Sequence, residues 1–343
     1  MYRIGFACKF THHDQSLKKK QLEEIERPYR PRITTARWLD QQDQLVAEQR
    51  LKELITHNVE ATVRLVEWVG KHEYNLRMLR LGSDLLPMHT HPKWKQFYSA
   101  NPSFMAGIQN QFRRIGIIAR ELDVRLSFHP GQFTVLASDR PDVVENSIEE
   151  IEYHADMLRW MGYGRTFQDA KCNVHISGKL GPQGIIKILP RLSEAARNVI
   201  TIENDEMSYG LDASLELADH LALVIDVHHH FIRTGEYIDP RDERVDAVVA
   251  SWRGVRPTMH YSLSREDLLV GHCPETMPDM DKLLEQGFKK QKLRAHSDYM
   301  WNNACNRWAF GFTDRFDIMV ESKAKNLASF KFQEFCKGLK NTV

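Results

Sequence analysis

Several features that would narrow the function at once are missing from this chain. No apolar run is long enough to cross a bilayer; the longest near the middle, residues 221–227, is already broken by Asp226. The opening MYRIGFACKF lacks the apolar stretch of a secretory signal. The five cysteines are scattered and odd in number, and none forms a CxxC, which argues against a disulfide framework or a zinc ribbon. No strand candidate is followed by GxGxxG, so a dinucleotide-binding sheet has no support. Charge of one sign is also absent: 47 Lys and Arg face 46 Asp and Glu. A net charge of +1 excludes a dominant polycationic grip on nucleic acid, though not a local basic patch. These absences predict a soluble cytoplasmic protein with reduced thiols.

What is present is a large core and an excess of histidine. The apolar fraction is 42% over 343 residues, ample for a packed interior. A (β/α)8 barrel alone takes ~250 residues. Short β-branched runs at 3–7, 77–82, 124–128, 173–177, 199–202, 221–225, 258–262 and 317–320 predict eight strands. Helical spacing lies between most of them. Leu51, Leu54, Ile55, Val59, Thr62, Val66 and Val69 share one face, as do Phe104, Ile108, Phe112, Ile115 and Ala119. A third helix is expected to open at Ser138-Asp139-Arg140-Pro141 and to end at Met161-Gly162. Eight strands with helical connections predict an α/β fold, a (β/α)8 TIM barrel, with a doubly wound open sheet as the competitor. The polar, basic residues 9–43 form an N-terminal loop extension, and residues 263–295 read as a long insertion after strand seven. With no low-complexity linker or repeat, residues 1–343 are expected to form a single domain.

The 16 histidines matter because of where they fall. Reactive groups of such barrels sit at the carboxyl ends of the strands. Here those ends carry His89-Thr90-His91-Pro92, His129-Pro130-Gly131-Gln132, His175, Glu203-Asn204-Asp205, Asp226-Val227-His228-His229-His230, His260 and Glu321. A lone strand-end histidine is usually a hydrogen-bonded structural residue. Seven such ends would converge on one axis, and burying that many polar and acidic groups without cations is costly. Mixed imidazole and carboxylate donors suit zinc, manganese or ferrous iron. Within the Asp226–His230 run, strand alternation aims Asp226 and His228 to one side, but a bend at the strand end also lets His229 turn inward.

These motifs resemble the UV damage endonuclease family and, more distantly, endonuclease IV. The matching elements are Arg80-Leu81-Gly82 through His91-Pro92, Phe128-His129-Pro130-Gly131-Gln132, Val174-His175, Ile202-Glu203-Asn204-Asp205-Glu206, and Asp226-Val227-His228-His229. Trp252-Arg253-Gly254, Met259-His260, Ala295-His296 and Val320-Glu321-Ser322-Lys323 complete them. The resemblance implies a metal-dependent hydrolase that nicks damaged double-stranded DNA 5′ of UV lesions, acting as a monomer without an obligate protein partner. It implies two to three divalent ions, manganese foremost, with zinc or iron as alternatives. Glu203 would bridge two metals, His91 and His129 would complete the first site, and Asp226, His260 and Glu321 the second. His229 and His296 would hold a third, with His175 against the cluster and Asn204 and Asp205 orienting Glu203. Gln132 and Phe133 would wedge into the duplex, joined by Phe6, and Lys179, Arg253 and Lys323 are candidate phosphate contacts.

One departure from the family pattern stands out. The family places a lysine, carboxylated on its amine, two residues before the strand-seven histidine. Here that position is Thr258, so the third metal site is expected to be weaker, unless Glu275 or Asp279 of the insertion substitutes. A metal-dependent sugar isomerase barrel and an iron-dependent peptide-modifying oxidase share strand-end His, Glu and Asp, and are the alternatives.

Overall fold

A computed structural model describes residues 1–340. Eight short parallel strands lie in the order β6-β5-β4-β3-β2-β1-β8-β7. They are β1 (Ile4–Ala7), β2 (Met78–Arg80), β3 (Arg125–Phe128), β4 (Lys171–His175), β5 (Ile200–Glu203), β6 (Ala222–Val224), β7 (Thr258–Tyr261) and β8 (Asp317–Val320). The last gap is spanned by a parallel bridge between Asp226 and His260 and by the His260 N–H donating to the Ile225 carbonyl at 2.9 Å. The sheet therefore curls into a nearly closed (β/α)8 barrel, as the strand count predicts.

Apolar faces of the helices seal its outside. In Gln44–Gly70 the stripe from Leu51 to Val69 is buried against the strands. Helix Pro102–Glu121 buries Ile108, Phe112, Ile115 and Ala119. Helix Pro141–Met161 starts at Pro141, with Ser138 Oγ accepting the Arg140 N–H at 3.2 Å instead of capping the helix itself. It ends where expected, at Gly162 with φ +92°, a left-handed conformation that a side chain would strain.

The two stretches outside the repeat are ordered by the barrel. In the 9–43 extension the Arg32 N–H donates to Asn58 Oδ1 at 2.6 Å and the Pro28 carbonyl accepts from Arg64 Nε at 2.7 Å, tying it to helix Gln44–Gly70. The insertion after β7 builds a small core of its own. Leu269, Met280, Leu283 and Leu293 pack on Phe231 and Ile232 of helix Val227–Thr234. Its ends meet through the Ser264–His296 bridge, which returns the chain to the barrel mouth. No helix among the described residues is long and apolar enough to cross a membrane.

Candidate metal centre

Parallel strands bring their carboxyl ends to one rim, and seven of the expected side chains meet there. Glu203, buried at the end of β5, is the hub. His260 Nδ1 lies 3.0 Å from Glu203 Oε1 and 3.2 Å from Glu321 Oε1. His129 Nε2 lies 3.3 Å from Glu203 Oε2, and His229 Nδ1 lies 3.6 Å from Oε1. Two groups have donor atoms close enough for one cation each: His129, His175 and Glu203, and Glu203, Asp226 and His260. Glu203 is common to both.

The electrostatics are those of a site short of positive charge. Burial alone would push Glu203 up, but His260, His175 and His129 outweigh it and hold its carboxyl well below the usual range. Burial pushes Asp226 up to about 8, against the pull of His229 and with Glu203 and Glu321 adding to it. Burial also disfavours charge on His229, yet Asp226, Glu203 and Glu206 together lift it to about 10. Asp226 is fully buried; its Oδ1 accepts the N–H groups of His228 and His229 at 2.8 Å each, while Oδ2 has no hydrogen-bond partner. An orphaned carboxylate oxygen inside a ring of imidazoles fits a divalent cation.

Asp226 also decides between the neighbouring histidines. Because it caps helix Val227–Thr234, helical rather than strand spacing follows at once. That places residue i+3 on its side, so His229 turns inward, while His228 lies near Phe231 and His296 beside the insertion. His229 Nδ1 meets the Asn204 carbonyl at 3.0 Å, leaving Nε2 for the centre. His296 is half-buried and lines the same cavity of about 570 Å³ as Gln132, Phe133, His175, His229 and Glu321.

Other expected residues lie elsewhere. His91 Nδ1 accepts the Lys93 N–H at 3.3 Å, and His91 belongs to neither donor group; His175 takes the place in the first that was expected of it. Phe6 is 1% exposed and packs edge-on against Trp68; strand alternation sends it to the helix side, and Ala7 to the interior with Met78 and Met319. Arg253 precedes β7 and donates to the carbonyls of Asp219 and His220 just before β6, at the opposite end of the barrel from the rim. Lys179 and Lys323 do stand at the rim, paired with Asp139 at 2.7 Å and Asp298 at 3.5 Å. Phe133 is 85% exposed, a large aromatic presented to solvent beside the cavity.

The supporting groups differ from expectation too. Asn204 exchanges two 2.9 Å hydrogen bonds with the Asp226 backbone, and Asp205 Oδ2 lies 3.4 Å from His175 Nδ1. Neither orients Glu203; Asn173 does, donating Nδ2 to Glu203 Oε2 while Thr201 Oγ1 donates to its Oδ1 at 2.7 Å. Arg80 Nη1 donates to Glu321 Oε1. Glu206 Oε2 lies 3.5 Å from His229 Nε2, and its Oε1 pairs with Arg294 of the insertion at 3.2 Å. Thr258 is buried with its hydroxyl unpartnered, and the amine near His260 is that of Lys171, from β4. Burial pushes Lys171 down to about 7. Glu275 is engaged by Asn303 and Arg307, and Asp279 caps helix Met280–Glu285, so neither is drawn to the centre.

Fold and mouth together define a (β/α)8 barrel with a candidate metal centre at the carboxyl rim of its strands. The chain belongs to the UV-endonuclease UvdE family, whose model matches residues 2–342. It is 27% identical over 298 residues to a UV DNA damage endonuclease of Bacillus cereus (strain B4264), covering 83% of this chain and 82% of that one. A UV DNA damage endonuclease of Bacillus anthracis is 26% identical over 299 residues, with the same coverage. In fold the chain resembles the crystal structure of SacUVDE, with a TM-score of 0.71 and 23% identity over 99% of both chains. It also resembles endonuclease IV from Thermus thermophilus, with a TM-score of 0.51 and 13% identity over 81% of this chain and 94% of that one. Membership makes this a UV-damage repair endonuclease with DNA as substrate, and the isomerase and oxidase alternatives fall away.

Proposed function

We propose that this protein cuts the backbone of damaged duplex DNA immediately 5′ to pyrimidine dimers and 6-4 photoproducts, leaving a 3′-hydroxyl and a 5′-phosphate. It would do so in the cytoplasm, as a monomer and a single domain, as a metal-dependent hydrolase with two to three divalent ions, manganese foremost. The observation that carries this reading is the shared position of Glu203 between two donor groups, with Asp226 Oδ2 unpartnered beside it. His129, His175 and Glu203 would hold one ion, and Glu203, Asp226, His260 and Glu321 the next. Bound there, such ions neutralise phosphate oxygens and lower the pKa of water. Asp226, Glu203 and Glu321 set the charge of the site, and Asn173 and Arg80 fix two of those carboxylates. A duplex carrying a single thymine dimer and a labelled strand tests the reading. One cut directly 5′ of the dimer, with a product end that a polymerase extends, is expected; a cut on the 3′ side, or in the undamaged control, refutes it.

Lesions are read in part as deformability, since a distorted step unstacks more easily than an intact one. Gln132 and Phe133 are proposed to occupy the gap this opens. Stacking of an aromatic on bases is worth ~1–3 kcal/mol per base. Gln132→Ala with Phe133→Ala is therefore expected to weaken binding to a lesion duplex by roughly ten- to a hundredfold while metal content stays at the wild-type level. Unchanged affinity in a gel-shift titration would assign Phe133 no role in binding.

With Thr258 in β7 and both Glu275 and Asp279 engaged elsewhere, the third ion keeps only His229 and His296 of its expected donors. Two manganese ions per chain are expected to survive dialysis, and a third to appear only at high concentration or with DNA. Three ions retained without DNA would overturn this.

A further inference from the structure

Residues 286–297, which bring the insertion back to the barrel mouth, contain four Lys and Arg and no acid. Their place in the fold is fixed at both ends. Arg294 and His296 line the cavity over the candidate metal centre, and Arg294 pairs with Glu206 at 3.2 Å. Lys290 Nζ donates to the Arg233 carbonyl at 2.7 Å, and the fully buried Leu293 packs in the insertion's own core. Arg233 in turn lies over Gly210, so close that a Cβ there would meet its Cδ at 2.7 Å. Gly210 ends the loop after β5, whose Met207 and Ser208 line the same cavity. The short helix Lys290–Leu293 is thus held against the rim.

What this arrangement leaves outside is positive charge. Lys289 and Lys292 are exposed and stand three residues apart on one face of the helical turn. Arg233 is exposed as well. Among the described residues none of the three forms an ion pair, whereas Lys179 and Lys323 at the same rim hold Asp139 and Asp298. Like charges side by side without a counter-charge are unfavourable for the fold alone. A polyanion lying along the rim supplies the missing charge, and the substrate of this family is one.

We propose that Arg233, Lys289 and Lys292 form a clamp on the sugar–phosphate backbone of the duplex that flanks the lesion. The inference rests on DNA as the substrate and not on the metal-centre reading. Lys289 is seven residues from His296, a reach of at most ~25 Å, and a duplex rises ~3.4 Å per base pair. The clamp therefore meets backbone within about seven base pairs of the cavity. Contacts of this kind position the duplex and carry no sequence information.

Full-length protein in EDTA, which keeps the strands uncut, is titrated with a fluorescent thymine-dimer duplex and with its undamaged counterpart at several salt concentrations. Each phosphate contact contributes ~0.9 to the slope of log affinity against log salt. Arg233→Gln, Lys289→Gln and Lys292→Gln together are expected to flatten that slope by about 2–3. Binding at ~0.1 M salt should weaken roughly ten- to a hundredfold, equally for both duplexes. Lys71→Gln, which removes an exposed lysine between helix Gln44–Gly70 and β2 at the barrel floor, is expected to change neither quantity. Trimming one flank to about four base pairs should cost the wild type several-fold more affinity than it costs the triple variant. A triple variant with the wild-type slope, a loss confined to the lesion duplex, or equal losses on trimming either flank overturns the proposal. A wild-type protein that binds neither duplex overturns the DNA reading itself, and the clamp with it.

Discussion

Glu203→Gln is expected to abolish nicking while the barrel stays folded. The substitution keeps the volume of the side chain and its contact with Asn173, and it removes one negative charge from a fully buried position. Metal-free, the barrel is expected to stay folded at some cost in stability, because the imidazoles of His260, His175 and His129 lose the carboxylate that they hold ionised. What it loses is the charge that both donor groups share. Removing a single oxyanion-stabilising donor from an active site costs ~10²–10³ in rate. Weakening two ion sites together should exceed that, so the expected loss is more than about 10³-fold, with Mn2+ content falling in parallel. Circular dichroism and a cooperative melting transition of the metal-free variant would show that the fold survives. Turnover near the wild-type level would remove Glu203 from the centre of the account.

The largest expected effect on stability lies at the other end of the barrel. Asp317 opens β8, is fully buried, and accepts the Arg3 N–H at 2.9 Å, Arg125 Nη1 at 2.7 Å and Arg256 Nε at 2.8 Å. Arg125 reaches it from β3 and Arg256 from just before β7, so a single carboxylate ties three parts of the barrel floor together. Asp317→Ala would leave mostly buried guanidinium groups without their partner, and removing one member of such a pair typically costs ~3–5 kcal/mol. Urea denaturation of metal-free protein should show a loss of that order. Mn2+ affinity of the folded protein should not change, since Glu321 stands at the opposite end of the same strand. A loss below ~1 kcal/mol would mean that water replaces the carboxylate at little cost.

How far the site was legible in the sequence depended on which rule governed each position. All eight strands were readable from short apolar runs, most of them β-branched, and β8 matches the expected residues 317–320. β4 begins two residues earlier than expected because Lys171 points into the barrel, where an apolar residue is the ordinary occupant. That displacement concealed Lys171, whereas Asn173 stood inside the expected strand; both share the strand parity of His175, the one signal that could have found them. His228 and His229 could not be separated by periodicity, because the change from strand to helical spacing occurs at Asp226 itself. Phe6 was decided by alternation along β1, and Arg253 by its place before a strand rather than after one. His91 was not decidable from the chain, since the turns after β2 set where its ring points.

The central claim is that the strand-end cluster is a metal centre that cuts DNA at UV lesions. Supercoiled plasmid, irradiated or not, is incubated with the purified protein and Mn2+, with and without excess EDTA, and the open-circle product is quantified. The account predicts open circles from the irradiated plasmid alone, none in EDTA, and recovery when Mn2+ is restored. Equal cutting of both plasmids, or cutting that EDTA leaves undiminished, would contradict it.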